Sequence, residues 1–376
     1  MFDIAAYLKL MVEKNASDLF FSTGAPVNIK IEGTTSPVGQ KYLAPGMVKN
    51  MAYSLMNDEQ IKQFESTLEM NLAISLQDIG RFRINIYRQR GEHAMVIRYI
   101  KSNIPSLEEL NLLPILKDLI MTPRGLVLVV GSTGSGKTTT LASMINYRNQ
   151  HNTGHILTIE DPLEYIHKNI KSIVDQREVG IDTLSYSNAL KNAMRESPDV
   201  ILIGEIRDRE TMQHAMSYAE TGHLCLSTLH ANNASQTLDR ILNFFPETAH
   251  NQLLIDLSLN LRAIISQRLI QGENGKRVPV LEILLNTPYI SELIQKGEIA
   301  KITEVMEQTT EQGMQSFDQA LYDLYQNGKV NLDEALKNAN SRNNLALRIH
   351  LSEKGIAQTS DDLSIDVDDS YLQKKG

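Results

Sequence analysis

Cysteine is almost missing from this chain of 376 residues, in which Cys225 is the only one. A single thiol excludes a framework of disulfides within the chain and a zinc site built from four cysteines. Cys225 lies in an apolar run. We therefore expect it in the hydrophobic core, and we expect no bound zinc.

Long apolar runs are missing too. No apolar segment approaches the roughly 18 residues that a membrane-spanning helix needs. The first residues, Met1 to Asp3, show neither the basic nor the apolar region of a signal peptide. We therefore expect a cytoplasmic protein that can reach a membrane face only through a partner.

An excess of positive charge is the third absence. The formal net charge is −8, which argues against a nonspecific nucleic-acid binder but leaves a local basic face open. The composition is otherwise ordinary, with 42% hydrophobic and 22% charged residues. A chain of this length predicts two or three domains with ample capacity for a core.

The central feature of the chain is the segment GSTGSGKT, residues 131–138. An apolar run at 126–130 precedes it and a helical stretch at 141–147 follows, which is the strand, loop, helix order of a P-loop. Glycine lets successive backbone N–H groups approach a polyphosphate, and the helix N-terminus adds partial positive charge. The predicted ATP-binding residues of the loop are Ser132, Thr133, Gly134, Ser135, Gly136, Lys137, Thr138 and Thr139.

Two of these residues have separate predicted tasks. Lys137 is expected to reach the β- and γ-phosphates, and the Thr138 hydroxyl is expected to bind Mg²⁺. The alternative is a glycine-rich turn that binds nothing, which the strand before it and the helix after it disfavour.

The second half of the chain alternates strands and helices. Strands are predicted at 154–160, 199–205 and 222–228, and helices at 107–122, 184–195 and 208–219. This order predicts an α/β domain with a mostly parallel sheet, which binds ligands at the carboxyl ends of its strands. Four further helices, at 289–296, 300–307, 316–327 and 331–339, predict a helical subdomain.

Polar residues cluster at three of those strand ends. The segment 159–165 carries Glu160 and Glu164, the segment 204–208 carries Glu205 and Arg207, and the segment 221–230 carries His223 and His230. Hydrolysis of a phosphoanhydride needs a carboxylate to orient water, and polar or cationic groups near the γ-phosphate. The alternative for each residue alone is a helix cap or a hydrogen-bonded core position. Together with the P-loop, they predict a hydrolase.

The segment around Glu205 departs from the usual Walker B pattern. An aspartate normally ends this strand, but here Gly204 and Glu205 follow Val200 to Ile203. Glu205 is therefore expected to serve the metal through water, the nucleophile, or both.

The N-terminal hundred residues predict a small α+β domain. A helical stretch is expected at 45–68, and alternating strands at 70–76, 82–87 and 93–100. One sheet face is apolar, whereas the other bears Arg81, Arg83 and Arg98. The strand pattern alone favours a solvated face for these arginines. The alternative is that they reach a phosphate outside their own domain.

Four motifs carry a family resemblance. GSTGSGKTTT, TIEDPLEYIH, GEIRD and TGHLCLSTLHANNA resemble the Walker A, Asp box, Walker B and His box of the type II/IV secretion ATPase superfamily. Within it, the chain is most similar to the type IV pilus retraction ATPases, the PilT and PilU kind. The resemblance runs from Asp3 to about Asn340.

The resemblance implies a PAS-like N-terminal domain followed by a RecA-like P-loop ATPase domain, in a homo-hexamer that binds ATP and Mg²⁺. The implied limits are 1–100 for the first domain, 101–106 for a linker, 107–287 for the ATPase core, 288–345 for a C-terminal helical subdomain and 346–376 for an acidic, disordered tail. Implied partners are the inner-membrane platform protein of the pilus and a PilT-like paralogue, with no nucleic acid.

The resemblance also implies residue roles. Glu160 is the leading catalytic carboxylate with Glu164 as the alternative, and Glu205 is the Walker B glutamate that serves the metal with Thr138. His230 and His223 are implied γ-phosphate sensors. The implied nucleotide-binding arginines are Arg81, Arg83, Arg98 and Arg207.

Two features of the sequence indicate which kind of ATPase within the superfamily the chain resembles most. A single cysteine and one short N-terminal domain argue against the pilus-assembly and type II secretion ATPases. Retraction ATPases of the PilT kind carry an AIRNL-like helix, where this chain reads Tyr289-Ile-Ser291-Glu292-Leu293-Ile294. This difference and the acidic tail favour an accessory retraction ATPase of the PilU kind. The alternatives are a primary PilT-type motor, a secretion or assembly ATPase, a RecA-like nucleic-acid motor, or a non-enzymatic regulator of a paralogue.

Overall fold

The computed structural model describes residues 4–31, 33–77, 79–308 and 313–353. The chain divides into two compact units, which we call the first and second unit. The first unit comprises Met1–Pro105 and Arg148–Gly204, and the second comprises Ser106–Tyr147 and Glu205–Gly376. The break at Pro105 falls in the predicted linker, whereas segment 148–204 comes from the predicted ATPase core. The domain limits therefore stay predictions.

The helices in chain order are α1 (Ile4–Glu13), α2 (Met47–Tyr53), α3 (Asp58–Thr67), α4 (Ile115–Met121), α5 (Lys137–His151), α6 (Tyr186–Ala193), α7 (Arg209–Glu220), α8 (Ala234–Asn243), α9 (His250–Asn260), α10 (Pro288–Lys296), α11 (Ile299–Gln308), α12 (Phe317–Gln326), α13 (Leu332–Asn338) and α14 (Arg342–Glu353). Short 3₁₀ helices lie at Met194–Glu196 and Glu247–Ala249.

The strands are β1 (Asp18–Ser22), β2 (Pro26–Ile31), β3 (Thr34–Tyr42), β4 (Glu69–Leu76), β5 (Gly80–Gln89), β6 (Glu92–Ile100), β7 (Gly125–Val130), β8 (Gly154–Glu160), β9 (Ser172–Glu178), β10 (Val200–Ile203), β11 (Leu224–Leu229), β12 (Leu261–Gln271) and β13 (Arg277–Leu285).

An antiparallel sheet in the order β3-β2-β1-β6-β5-β4 forms the N-terminal part of the first unit. Phe82, Ile84 and Ile86 of β5 are buried, while Arg81 and Arg83 lie on the other face. This confirms the two-faced sheet. Strand β3 was not predicted, because its residues are mostly exposed and show no apolar alternation.

The helical stretch predicted over 45–68 is confirmed as two helices, α2 and α3. Asn57 begins the second one with a capping box, in which the Asn57 side chain accepts from the Gln60 N–H and the Gln60 side chain accepts from the Asn57 N–H. An N-cap residue has extended backbone, so it interrupts a helix.

Strands β10, β8 and β9 also belong to the first unit and pair in parallel in that order. In the second unit, β11, β7 and β12 pair in parallel, and β13 closes onto β12 as an antiparallel hairpin. Every residue of β7 is buried, as is Cys225 in β11. These pairings confirm the mostly parallel α/β class.

The helix predicted over 107–122 is also shorter than expected, since α4 begins only at Ile115. Pro114 precedes it, and proline both fits the start of a helix and disfavours helical backbone in the residue before it. The four helices predicted beyond residue 288 are confirmed as α10 to α13. None of the helices in the described part of the chain combines the length and apolarity needed to span a bilayer.

The disordered tail predicted for 346–376 is wrong at its start, because residues 346–353 belong to helix α14. Leu345 and Ile349 are buried in a cluster with Phe317 and Leu321 of α12. Two apolar residues four apart give too weak a period to predict a helix. The remainder of the predicted tail, 354–376, lies outside the described residues.

Leu345 offers a test of this packing. We expect Leu345→Ala to lower the free energy of unfolding by about 2–5 kcal/mol, because the side chain is 1% exposed and truncation leaves a cavity. Asn344→Ala, at an exposed neighbouring position, should change little. Thermal unfolding of both variants measures the difference, and equal midpoints would show that α14 does not pack on α12.

Candidate active site

The P-loop of the second unit joins β7 to α5. Lys137, the first residue of α5, is 9% exposed, and its Nζ donates to the carbonyls of Gly131 at 2.9 Å and Ser132 at 3.0 Å. The ammonium group therefore lies against the loop that precedes it. This is the position from which a P-loop lysine reaches bound phosphates.

Two glycines of the loop are required for space. A Cβ on Gly131 would lie 2.4 Å from the carbonyl oxygen of Gln267, and one on Gly136 would lie 2.8 Å from Gln267 Nε2. A Cβ on Gly134 would meet nothing within 4 Å, but its φ of 79° is one that other residues rarely adopt. The loop therefore needs glycine for backbone conformation at all three positions, since each φ is positive, and for close packing at Gly131 and Gly136 as well.

Gln267 of β12 holds the loop and the helix together. Its Nε2 donates to the Ser135 carbonyl at 2.7 Å, and its Oε1 accepts from the Thr140 hydroxyl at 2.7 Å. The side chain is buried. Sequence reasoning missed it, because only the pairing of β12 with β7 brings residue 267 to the P-loop.

Glu205, Arg207 and His230 come together in the second unit. Arg207 Nε donates to Glu205 Oε2 at 2.7 Å, and His230 Nε2 lies 3.1 Å from Glu205 Oε1. The Ile206 N–H donates to the Thr228 carbonyl at 2.9 Å, which fastens this segment to the end of β11. A carboxylate held between a guanidinium and an imidazole can orient water.

Three clefts adjoin the P-loop, with volumes of about 450, 350 and 520 Å³. The first two share Gly131 and Ser132, and the first also contains His230. The third borders Gly136 and Thr139 and is the apolar one, lined in part by Leu112, Leu269, Val278 and Pro279. Polar clefts at the loop suit phosphates, and an apolar cleft beside the helix start suits a flat base.

His223 does not join this group. It precedes β11, whereas His230 follows it, and Leu224 lies level with Gly125 at the start of β7. Six residues of strand separate the two histidines by about 20 Å. The His223 ring instead lies 3.1 Å from Thr221 Oγ1 and 3.2 Å from the Tyr218 carbonyl. The two histidines therefore lie at opposite ends of β11, and the role of His223 as a γ-phosphate sensor stays a prediction.

Mg²⁺ fits the donors on this unit. The Thr138 hydroxyl and the Glu205 carboxylate are oxygen donors, which Mg²⁺ prefers, and it commonly keeps waters and phosphate oxygens as its other ligands. Thr138 is the second residue of α5, directly after Lys137.

The predicted catalytic carboxylate, Glu160, ends β8 in the first unit. It is 7% exposed, and the Thr158 hydroxyl donates to its Oε1 at 2.7 Å. Burial raises the pKa of Glu160 to about 7, against the opposing effect of hydrogen bonds from Thr158 and Gln176. Glu164, the alternative, is exposed. The pKa of Glu160 therefore lies near the range suited to a general base.

Glu178 at the end of β9 is a second buried carboxyl group, which sequence reasoning missed. Its side chain is 0% exposed, and neither carboxyl oxygen has a hydrogen-bond partner within the described residues. Arg83 Nε lies 3.6 Å from Oε1. Burial raises the pKa of Glu178, and the charges of Arg83 and then Arg81 oppose that rise.

The three N-terminal arginines have carboxylate neighbours in their own chain. Arg98 Nε donates to Asp18 Oδ1 at 2.8 Å, and Arg83 faces Glu178. Arg81 Nε is buried without a hydrogen-bond partner in the part of the chain that the structure describes. A purely solvated face therefore does not describe them. Their contact with a nucleotide outside their domain stays a prediction.

The strand, glycine loop and helix around Lys137, with Glu205 and His230 on the same unit, define a P-loop nucleoside triphosphatase. The family described as "Type II/IV secretion system protein" matches residues 2–276. The chain is 51% identical to the type IV pilus ATPase PilU of Pseudomonas aeruginosa over 96% of both chains. It is 40% identical to PilT of the same organism, over 90% of this chain and 98% of that one.

A solved structure supports the same assignment. The crystal structure of the pilus retraction motor PilT with bound ADP matches with a TM-score of 0.86 and 38% identity, over 92% of this chain and all of the other. The chain therefore belongs to the type II/IV secretion system family, and within it to the type IV pilus retraction ATPases, where it is PilU-like. This confirms the predicted family and the predicted order of N-terminal domain and RecA-like domain.

The raised pKa of Glu160 has a consequence for stability. Its folded pKa of about 7 lies above the ordinary 4.5, so the folded state binds this proton more tightly than the unfolded state. The stability that the proton supplies at low pH is lost as pH rises through about 7. A variant that cannot ionise there, Glu160→Gln, should be more stable than wild type by up to about 3 kcal/mol near pH 8.

Thermal unfolding at about pH 5 and about pH 8 measures this effect. The difference between Glu160→Gln and wild type should appear at the higher pH and vanish at the lower one. Glu13→Gln is the matched control, because it removes an exposed carboxylate of α1 that is not among the groups acting on Glu160. Equal midpoints for Glu160→Gln and wild type at both pH values would contradict a raised pKa.

Proposed function

We propose that this chain is an ATP-hydrolysing motor subunit that powers type IV pilus retraction as a PilU-type accessory ATPase. The observation that carries the proposal is the Glu205, Arg207 and His230 cluster on the unit that holds Lys137. Identity to PilU along nearly the whole of both chains supports the cellular role. We further propose a homo-hexamer that contacts the inner-membrane platform protein and a PilT-like paralogue.

Each residue of the second unit has a task in this proposal. Lys137 binds the β- and γ-phosphates, and Thr138 with Glu205 holds Mg²⁺, which neutralises phosphate charge when bound. Glu205 orients the attacking water. His230, 3.1 Å from Glu205, can exchange that contact for one with the γ-phosphate and so report which nucleotide is present.

The first unit supplies the base in this proposal. Glu160 accepts the proton of the attacking water, since its pKa of about 7 lets it act as an acceptor near neutral pH. Glu164 remains the alternative acceptor. Arg81, Arg83 and Arg98 contribute to a nucleotide held by a neighbouring subunit.

Helix α10 supports the PilU-type role over the PilT-type role. Ile290 and Leu293, which match the AIRNL-like pattern, are buried core residues. The changed positions face elsewhere: Tyr289 is exposed, Ser291 donates to the Ser258 carbonyl at 2.7 Å, and Glu292 pairs with Lys296 at 2.6 Å. The chain keeps the packing of the helix but presents a different surface.

Lys137→Ala and Glu205→Gln test the hydrolysis. Each should lower steady-state phosphate release by at least about 100-fold, because each removes a group that stabilises the transition state. Lys301→Ala and Glu298→Gln are matched controls, since these residues form an exposed ion pair at the start of α11 and should leave the rate unchanged. A wild-type rate of phosphate release in Glu205→Gln would show that Glu205 does not orient the attacking water.

A deletion strain tests the cellular role. Loss of this chain should reduce twitching while pili remain on the surface, because retraction rather than assembly needs it. Complementation with Lys301→Ala should restore movement, and complementation with Lys137→Ala should not. Loss of surface pili in the deletion strain would point to assembly instead.

A further inference from the structure

Glu160 and Glu178 are neighbours at the ends of two parallel strands. They are direct register partners of β8 and β9, and the Val179 N–H donates to the Glu160 carbonyl at 2.9 Å. Register partners on adjacent strands project from the same sheet face. Two buried carboxyl groups therefore lie side by side.

The two groups differ in their partners. Glu160 accepts a hydrogen bond from Thr158, whereas the Glu178 oxygens accept none from the described residues. The backbone N–H of Glu178 donates to Asp182 Oδ2 at 2.9 Å, which adds a further negative charge nearby. Arg83 and Arg81 are the cations that offset these charges. A buried carboxylate without hydrogen bonds is costly unless a cation compensates it.

Arg83 is held by charge and not by a hydrogen bond. Its Nε lies 3.6 Å from Glu178 Oε1, beyond the usual hydrogen-bond range, and its side chain is 23% exposed. It also lines a cleft of about 470 Å³ together with Asp161 and Gly180. The guanidinium can therefore leave Glu178 without breaking a hydrogen bond to it.

Neighbouring carboxyl groups in a buried site resist being ionised together, so one proton is shared between them. A cation beside one member favours ionisation of that member and leaves the proton on the other. Arg83 stands beside Glu178. Glu164, exposed in the loop after β8, adds a further negative charge that acts on Glu160 at least as strongly as that of Glu178.

We propose that Glu178 is a positioning residue through which Arg83 controls the protonation of Glu160. With Arg83 beside Glu178, the proton stays on Glu160. When Arg83 departs, the O–H bond of Glu160 breaks, one forms on Glu178, and Glu160 becomes the ionised base. The inference rests on the proposed function, because it takes Glu160 as the acceptor of the water proton.

The pH dependence of phosphate release tests the link. Wild-type activity should fall as pH drops through about 7. In Glu178→Gln the neighbouring negative charge is gone, so Glu160 ionises at lower pH. The ratio of activity at about pH 6 to that at about pH 8 should rise roughly fivefold, as expected for a pKa lowered by about one. Arg83→Gln should shift the ratio in the same direction, since the proton then prefers Glu178.

The double variant Arg83→Gln with Glu178→Gln separates the control of Glu160 protonation from direct phosphate binding by Arg83. If Arg83 acts through Glu178, Arg83→Gln should not shift the ratio further once Glu178 is Gln. Arg88→Gln is the matched control, because Arg88 lies on the same strand as Arg83 but its Nη1 donates to the Gly91 carbonyl at 2.9 Å, and its ratio should equal that of wild type. An unchanged ratio in both Glu178→Gln and Arg83→Gln overturns the inference.

An infrared measurement that needs no ATP hydrolysis tests the inference independently of the proposed function. Infrared difference spectra across the same pH range detect the C=O band of a protonated buried carboxyl group. The band that is lost in Glu160→Gln should titrate near pH 7 in wild type and at lower pH in Glu178→Gln. If wild type hydrolyses no ATP, the proposed function fails while this band still tests the pair. If Glu178→Gln does not fold, Arg83→Gln carries the test, and identical titration to wild type overturns the inference.

Discussion

A carboxylate that leaves water needs cations or hydrogen bonds in return, and this requirement shapes the chemistry of the chain. Glu205 has two partners, Arg207 and His230. Glu160 has hydrogen bonds but lies buried beside Glu178, and its pKa rises to about 7. Burial raises the pKa of Glu178, and the charges of Arg83 and Arg81 oppose that rise. Carboxyl groups with similar positions at strand ends therefore differ in burial and in partners, and that difference separates their tasks.

The P-loop depends on the opposite requirement, since it must offer backbone N–H groups and not side chains. Strand β12 packs against the loop and leaves no room for side chains at two of its positions. It approaches so closely that a Cβ on Gly131 or Gly136 would collide with Gln267, while the Gln267 side chain binds both the loop and α5. The loop shape is thus determined by residue 267 as well as by its own glycines.

The parts of the site that lie within one segment could be predicted, and the parts that depend on strand register could not. Residues 131–138 are predictable because strand, loop and helix follow one another in the chain. Glu205 and His230 were found because both directly follow apolar strands. Gln267 escaped because only the pairing of β12 with β7 brings it to the P-loop, and Glu178 escaped because only the pairing of β9 with β8 brings it beside Glu160. The fold class followed from alternation, whereas Asn57, Pro114 and α14 show how single caps and weak periods displace element limits.

Arg83 takes part in both proposals, as a ligand of the nucleotide and as the cation beside Glu178, and it cannot do both at once. One guanidinium cannot neutralise Glu178 and a phosphate of a neighbouring subunit at the same time, because it must be within a few ångströms of either anion to act. A phosphate that attracts Arg83 therefore withdraws the charge that keeps Glu178 ionised. The proton then moves to Glu178, and Glu160 is freed as a base when a nucleotide engages the arginine. The same residue would bind the nucleotide and switch on its hydrolysis. The contact between the arginine-bearing sheet face and the acidic end of β9 would therefore couple substrate binding to catalysis.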